Sequence, residues 1–420
     1  MLKAAENGKS LVKDGKPFFW LADTCWSAFT NISDAEWEYY LNHRKVQGFN
    51  VLQINILPQW DASGTDLNYH AFDEDYLHLN EEYFAHAREM CIRAKEAGFE
   101  LALVVLWSNF VPGTWASKIY MNRLGKELMP FEAVENYVRK VHETFSDLEP
   151  VYVISGDTDF PTEETVAYYL SAARLLKSLA PDLTFTAHIK GRFTDMPIEL
   201  SELMDVMFYQ SGHNSLDSGT PYKLSEEMQA KYPGKPLINS EPCYEQMGYS
   251  GGRYGRWGQF EIRRVAWQSV LSGASAGITY GAAGIYSWHK LNVGFSSGLG
   301  EGFDTPKPVE EALQFKGAWD YGYLRQLIEK MDARNITPRQ DILLNNTEDI
   351  RVAEDSGRYL VYMPSNTKLK LQLDLSDYQT KVIDLESRYM AELSVSVQDG
   401  VSVLPIHPFD KDVLVIFSRH

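Results

Sequence analysis

Two carboxylate side chains stand out because each follows a short apolar run. Asp157 comes after PVYVIS (150–155) and one glycine, and Glu241 comes directly after KPLINS (235–240). Cleavage of a glycosidic bond needs an acid that protonates the leaving oxygen and a carboxylate that attacks or activates water. The two residues are therefore the candidate catalytic pair, provided that the fold brings the ends of both runs together.

Each carboxylate also has a plainer interpretation. Asp157 could cap the helix that begins after Phe160, and Glu241 could be a salt-bridge partner at the rim. A second glutamate, Glu245, lies four residues further from its strand, where geometry is less fixed. We expect Glu245 to support the site or contact a ligand rather than to attack.

The elements that must position this pair are apolar runs alternating with amphipathic helical stretches up to about residue 333. The runs are almost continuously apolar, as parallel strands buried on both faces are. Eight such units predict an α/β fold, a (β/α)8 barrel. A doubly wound open sheet is the alternative, but it usually has a phosphate-binding glycine turn after its first strand, and LADTCW is not one. The eight predicted strands are PFFWLA (17–22), FNVLQIN (49–55), FELALVVL (99–106), PVYVIS (150–155), LTFTAH (183–188), VMFYQ (206–210), KPLINS (235–240) and AGITYG (276–281).

The pattern changes towards the C-terminus, where short segments without a helical period are separated by polar turns. In LKLQLDL (369–375), leucine alternates with polar residues, which is typical of a strand with one buried face. We predict a barrel domain over residues 1–334 and a small antiparallel β-domain, a sandwich, over residues 335–420.

Polar and aromatic residues collect at the predicted C-terminal ends of the barrel strands, which is where active sites of such barrels lie. A packed core needs none of these polar groups, and the tryptophans suit stacking on a sugar ring. The candidate substrate-binding residues are Asp23, Trp26, Asn55, Trp107, His188, Tyr209, Gln210, His213, Tyr244, Glu245 and Trp288.

A catalytic metal is the main alternative chemistry. His188, His213 and His289 could bind one, but none has a histidine partner at helical spacing. The three cysteines lack CxxC spacing, and Cys25 and Cys243, which lie near strand ends, are expected to be buried thiols. We therefore predict no cofactor. A metal-dependent hydrolase or isomerase, and a non-catalytic carbohydrate-binding protein on a degenerate barrel, are the alternative functions.

Composition narrows the range of partners. The net charge is −17 and the basic residues form no stripe, which argues against a nucleic-acid partner. No apolar run approaches about 18 residues, so no membrane span is predicted. The polar N-terminus lacks the apolar core of a signal peptide, which predicts a cytoplasmic protein. Two segments, GGRYGRWG (251–258) and KLNVGFSSGLGEGFDTP (290–306), are predicted to be rim loops.

Five motifs carry a resemblance to a known family. They are LADTCWSAF (21–29), ISGD (154–157), YQSGH (209–213), NSEPCYE (239–245) and RRVAWQSVLSGASAGITYGAAGIYSWH (263–289). Together, and in this order, they resemble the apiosidase-type glycoside hydrolases, which belong to the large clan of retaining (β/α)8 glycosidases. A C-terminal β-domain is often appended in that family.

The resemblance implies a retaining mechanism with Asp157 as general acid/base and Glu241 as nucleophile. In retaining enzymes the two carboxyl groups lie about 5–5.5 Å apart, and the acid needs a raised pKa to hold its proton. The implied substrates are plant cell-wall side chains, apiose among them. The residues implied to orient sugar hydroxyls are Asp23, Asn55, His188, His213 and Tyr209.

The chain departs from the family pattern at two places. Ser155 stands where the family usually has a second glycine before the aspartate; serine is small, so we expect the geometry to survive. IDLESR (383–388) replaces a tryptophan–aspartate–proline turn common in the C-terminal domain of the family.

Overall fold

The protein is represented by a computed structural model, which describes residues 1–60, 62–73, 75–250, 253–296 and 305–419. Within these residues, eight parallel strands form the centre of the molecule. They are β1 Trp20–Thr24, β2 Val51–Asn55, β3 Glu100–Trp107, β4 Val151–Gly156, β5 Phe185–Thr186, β6 Met207–Tyr209, β7 Leu237–Asn239 and β8 Gly277–Tyr280.

The strands neighbour one another in the order β6-β7-β8-β1-β2-β3-β4-β5. The backbone N–H groups of Asp205 and Val206 donate to the carbonyl oxygen of Phe185, which links β5 to the start of β6. The predicted (β/α)8 barrel is therefore confirmed. Its strands are buried on both faces, as their apolar sequences indicated.

Helices follow the strands along the chain, and their ends match the sequence signals. Glu36 accepts a hydrogen bond of 2.9 Å from the backbone N–H of Ser33, as the S-D-A-E capping box predicts. None of the helices in the described residues is both long and apolar enough to cross a membrane. The barrel helices are α1 Asp34–Val46, α2 Glu81–Glu96, α3 Phe131–Phe145, α4 Glu163–Leu179, α5 Ile198–Leu203, α6 Thr220–Lys231, α7 Gln259–Leu271 and α8 Lys316–Met331.

The first predicted strand, PFFWLA (17–22), is wrong as a single element. Lys16–Phe18 is the edge strand of a small antiparallel sheet with Leu2–Ala4 and Leu11–Lys13, and β1 begins only at Trp20. Pro17 has no backbone N–H to donate, so an edge strand tolerates it and the centre of a sheet does not.

The C-terminal region consists of antiparallel sheets, as predicted. Leu369, Leu371 and Leu375 are buried on one side, as the leucine alternation indicated. The arrangement as a sandwich and the boundary at residue 334 stay predictions. One sheet contains, in spatial order, Thr337–Pro338, Arg351–Asp355, Arg358–Met363, Val413–Arg419, Tyr378–Asp384 and Met390–Leu393; the other contains Leu369–Leu371, Val401–Leu404 and Ser396–Gln398.

The central strands of the larger sheet are buried on both of their faces. Val361 and Val415 pack into a core shared with the smaller sheet. Leu360, Tyr362 and Leu414 belong instead to the core of the barrel. Alternation along the strands explains the division, since successive side chains point to opposite faces.

A buried ion cluster crosses the contact between barrel and C-terminal region. Arg263 on α7 donates from Nε to Oδ2 of Asp412 at 2.9 Å and from Nη1 to Oδ2 of Asp320, on α8, at 2.8 Å. The hydroxyl of Tyr362 donates to the same Asp412 oxygen at 3.1 Å. Four buried polar residues, from α7, α8 and the C-terminal region, are thus connected to one another.

Candidate active site

A cavity of about 390 Å³ lies where the barrel strands end. Asp157, directly after β4, and Glu241, two residues after β7, both line it. The predicted catalytic pair therefore shares one cavity. Other predicted residues that line it are Trp26, Trp107, Gln210, His213 and Tyr244.

Glu241 is held by two histidines. Nε2 of His188 lies 3.0 Å from Oε2, and Nε2 of His213 lies 3.0 Å from Oε1. Burial alone would raise the pKa of Glu241, but the hydrogen bonds from His188 and His213 outweigh it and hold the pKa well below its usual range. Glu241 is thus kept as a carboxylate, the form in which it can attack.

The backbone of Tyr244 determines which ring nitrogen of His213 carries the hydrogen. The backbone N–H of Tyr244 donates to Nδ1 of His213 at 3.3 Å. Nε2 must therefore carry the hydrogen, and it donates a hydrogen bond to Glu241. On the other side, the hydroxyl of Ser240 lies 2.8 Å from Nδ1 of His188. Both rings are therefore oriented by the β7 segment that carries Glu241.

The Tyr244 hydroxyl completes the surroundings of Glu241. Burial, then the negative charge of Glu241, raises the pKa of Tyr244 well above its usual value, so the phenol keeps its proton. The indole N–H of Trp26 donates to the Tyr244 oxygen at 3.1 Å. The ring lies on Gly281, where an added Cβ would stand 2.1 Å from it. Glycine at this position lets the phenol approach the carboxylate.

Asp157 has a left-handed backbone, with φ at 48°. The preceding Gly156 leaves room for the ring of Trp107, which would stand 2.2 Å from an added Cβ. The cap of α4 is Thr162, whose hydroxyl accepts from the N–H of Thr165 at 3.1 Å. Asp157 is therefore not the helix cap that was one reading of the sequence.

Ser155, the departure from the family pattern, joins two strand ends. Its hydroxyl donates to the carbonyl oxygen of His188 at 3.0 Å. His188 follows β5 and holds Glu241, so the serine links the strand of one catalytic candidate to a partner of the other.

Two acidic residues predicted to bind substrate are turned away from the cavity. Asp23 accepts from Nε of Arg44 and from the hydroxyl of Tyr40, both at 2.6 Å, and is fully buried against α1. Glu245 accepts from the hydroxyl of Tyr280 at 2.6 Å and from backbone N–H at the start of α8. Both join the barrel to its helices.

Other predicted residues lie behind the cavity wall. The hydroxyl of Tyr209 donates to the carbonyl of Pro221 at 2.8 Å, on the α6 side of the barrel. Asn55 donates to Oε1 of Gln59 at 3.0 Å, and Gln59 lines the cavity. Trp288 is buried edge-on against Tyr40 and, like His188, does not line the cavity.

Residues that the sequence reasoning missed line the cavity from the loops. Trp60 and Trp115 belong to loops after β2 and β3, several residues beyond any strand end. Lys190 and Arg192 follow β5 as the tripeptide KGR, a basic pair that could have been noticed in so acidic a chain. Tyr286, after β8, is a further aromatic wall residue.

The residues considered for a metal have other partners. His188 and His213 direct Nε2 at Glu241, and Nδ1 of His289 lies 2.8 Å from the hydroxyl of Ser63. Across the described ranges, no group of three or more His, Cys, Asp or Glu residues is arranged to hold a metal ion. Of the predicted rim loops, residues 251–252 and 297–304 lie outside those ranges. Cys25 and Cys243 are buried and free, as predicted, and Cys91 is buried and free as well.

The barrel and its family together define a glycoside hydrolase, an enzyme that acts on carbohydrate. Residues 5–335 match the model of the family described as the apiosidase-like catalytic domain. The match covers most of the chain, and the protein belongs to this family. No curated protein matches the sequence.

Solved structures share the fold over the whole chain. A structure titled "Glycoside hydrolase" is 21% identical, with a TM-score of 0.81, and covers 100% of this chain and 96% of its own. A glycoside hydrolase family 5 protein from Bacteroides vulgatus is 22% identical, with a TM-score of 0.82 and coverage of 100% and 93%. An endo-β-1,4-mannanase from Thermotoga petrophila is 12% identical, with a TM-score of 0.52 and coverage of 96% and 98%.

Proposed function

We propose that the protein is a retaining glycoside hydrolase that works by double displacement. Glu241 attacks the anomeric carbon while Asp157 protonates the leaving oxygen, and Asp157 then takes a proton from the water that releases the sugar. The observation that carries the proposal is the geometry of Glu241, which accepts hydrogen bonds from two histidines and shares a cavity with Asp157.

The donors around Glu241 act in both steps. Hydrogen bonds from His188 and His213 orient the two carboxylate oxygens before attack. Once Glu241 is esterified its charge is lost, and breaking the ester restores it. Donors already aimed at the carboxylate stabilise that returning charge, and they need no reorganisation to do so.

The substrate is proposed to lie between tryptophan faces. Trp26 and Trp107 were expected to stack on sugar rings, and Trp60 and Trp115 add two more indoles to the same cavity. Gln210 supplies an amide for sugar hydroxyls. The remaining candidates, Asp23, Asn55, His188, Tyr209, Glu245 and Trp288, are proposed to support this wall from behind.

We propose a plant cell-wall-type oligosaccharide that carries an acidic sugar as substrate. The chain has a net charge of −17, yet Lys190 and Arg192 place two cations on the cavity wall. Lys190 already pairs with Asp159, 3.0 Å away. Arg192 is therefore the stronger candidate for binding a substrate carboxylate. The backbone of Arg192 is left-handed, and its N–H donates to the carbonyl of Gln210 at 2.9 Å.

The test is a panel of glycosides followed by NMR of the first sugar anomer released. Retained configuration is expected, and an inverted product would overturn the double displacement. Glu241→Gln and Asp157→Asn should each reduce kcat strongly, Asp157→Asn by about 10²- to 10⁴-fold. Full activity of both variants would refute the assignment of the pair. Loss of activity with a chelator would favour a metal-dependent hydrolase instead.

A further inference from the structure

Trp115 makes a direct contact with the backbone of Asp157. Its indole Nε1 donates to the carbonyl oxygen of Asp157 at 2.8 Å. Its own backbone N–H lies 3.3 Å from Oδ1 of Asp159. Trp115 starts the short helix Trp115–Leu124 in the loop after β3, so one residue of that loop binds the β4 end at two points.

Asp157 needs such external support because of its backbone. A non-glycine residue in the left-handed region is strained and persists only where its surroundings hold it there. Two tryptophans constrain this backbone. Trp107 fills the space beside Gly156, and Trp115 holds the carbonyl on the other side of the Asp157 Cα.

The Trp115 ring is also part of the cavity. It lines the cavity and packs edge-to-face on Trp60, with ring centroids 5.9 Å apart. The same indole therefore faces the cavity and donates a hydrogen bond to the Asp157 backbone. A sugar that contacts Trp115 would therefore contact the residue that is bonded to the Asp157 backbone.

We propose that Trp115 is a positioning residue for Asp157 and sets the direction in which its carboxyl group delivers the proton. The inference rests on the proposed role of Asp157 as general acid. Proton delivery matters most when the leaving group is a strong base, and it matters little when the leaving group departs unaided. Loss of the indole N–H is therefore expected to show on some substrates and not on others.

The experiment compares Trp115→Phe with wild type on aryl glycosides of the sugar that wild type releases. The phenylalanine keeps an aromatic wall and lacks the indole donor. The quantity measured is kcat/KM, which reports the glycosylation step, for a phenyl and a dinitrophenyl leaving group. We expect a fall of more than about tenfold for the phenyl glycoside and less than about threefold for the dinitrophenyl glycoside.

An equal fall on both substrates, or no fall on either, would overturn the proposal. Near-normal turnover of the dinitrophenyl glycoside itself shows that the variant is folded; should Trp115→Phe not fold, Trp115→Tyr also lacks the indole donor. Trp60→Phe is the matched control, from the same aromatic pair without a bond to Asp157, and should show no dependence on the leaving group. Asp157→Ala tests the role of Asp157 separately from that of Trp115. If the activity of this variant does not depend on the leaving group, Asp157 is not the general acid, whatever Trp115 does.

Discussion

The Nε2 atom of His213 lies 3.0 Å from Oε1 of Glu241, while the opposite ring nitrogen accepts from the backbone N–H of Tyr244. The ring is therefore locked as a donor to the carboxylate. Tyr244 comes three residues after Glu241, so a single turn of chain supplies both the carboxylate and the restraint on its partner.

Replacing His213 should shift the acid limb of activity. His213→Ala removes one of the two bonds that lower the pKa of Glu241, so this pKa rises and the carboxylate is protonated at a higher pH. The acid limb of the kcat/KM–pH profile is expected to move upward. His70→Ala, at an exposed position, should leave the limb in place. An unchanged limb in His213→Ala would show that the histidine does not control Glu241.

The same substitution should alter stability at low pH. The folded pKa of Glu241 lies below its unfolded value of about 4.3, so Glu241 stabilises the fold above that pH and loses the contribution as pH falls through the folded pKa. His213→Ala reduces the gap between the two values. Urea unfolding at a series of pH values should therefore give a shallower loss of Glu241-linked stability in acid.

Gly156→Ala should damage catalysis because no Cβ fits beneath the Trp107 ring. The new methyl would stand 2.2 Å from the ring, so either the indole or the end of β4 must move, and Asp157 is the next residue. A displacement of about 1 Å at a catalytic group costs on the order of 10²-fold in rate. Gly294→Ala, where an added Cβ has no neighbour within 4 Å, is the control. Wild-type kcat/KM in Gly156→Ala would show that the packing of Trp107 against Gly156 does not position Asp157.

Arg192→Met should weaken the binding of acidic substrates selectively. A hydrogen bond between charged groups is worth about 1.5–3 kcal/mol, so KM for a uronate-bearing oligosaccharide should rise by about 10- to 100-fold. KM for the neutral analogue should stay as it is. Arg139→Met, on the outer helix α3, serves as control. Equal KM changes on both substrates would rule out recognition of a carboxylate.

Asp412→Asn should destabilise the whole molecule. Arg263 would keep its bond to Asp320 and lose the charge that pairs its Nε, and an incompletely paired buried ion costs about 3–5 kcal/mol. Urea unfolding measures the loss, whereas kcat/KM of the folded enzyme should be unchanged. Asp341→Asn breaks an exposed pair with Arg339 in the same region and should cost less than about 1 kcal/mol. Equal costs would mean that burial is not decisive.

The sequence predicted the barrel and the positions of both carboxylates because buried parallel strands leave long apolar runs with clear ends. It did not show which way a side chain near a strand end points. Asp23 faces Arg44 on α1, and Glu245 reaches the start of α8; partners so distant in the chain leave no local signal. Trp60 and Trp115 were missed because loop conformation, which no periodicity encodes, brings them to the cavity.

The larger C-terminal sheet, whose central strands are apolar on both faces, limits how the C-terminal region can be exchanged between enzymes. A module that can be exchanged between enzymes needs a polar outer surface, and this sheet has none towards the barrel. The outer side of the barrel, in turn, carries Arg263, which pairs both with Asp320 on α8 and with Asp412 of the C-terminal region. We therefore expect that chimaeras joining either region to a foreign partner fail to fold unless this contact is transplanted with it.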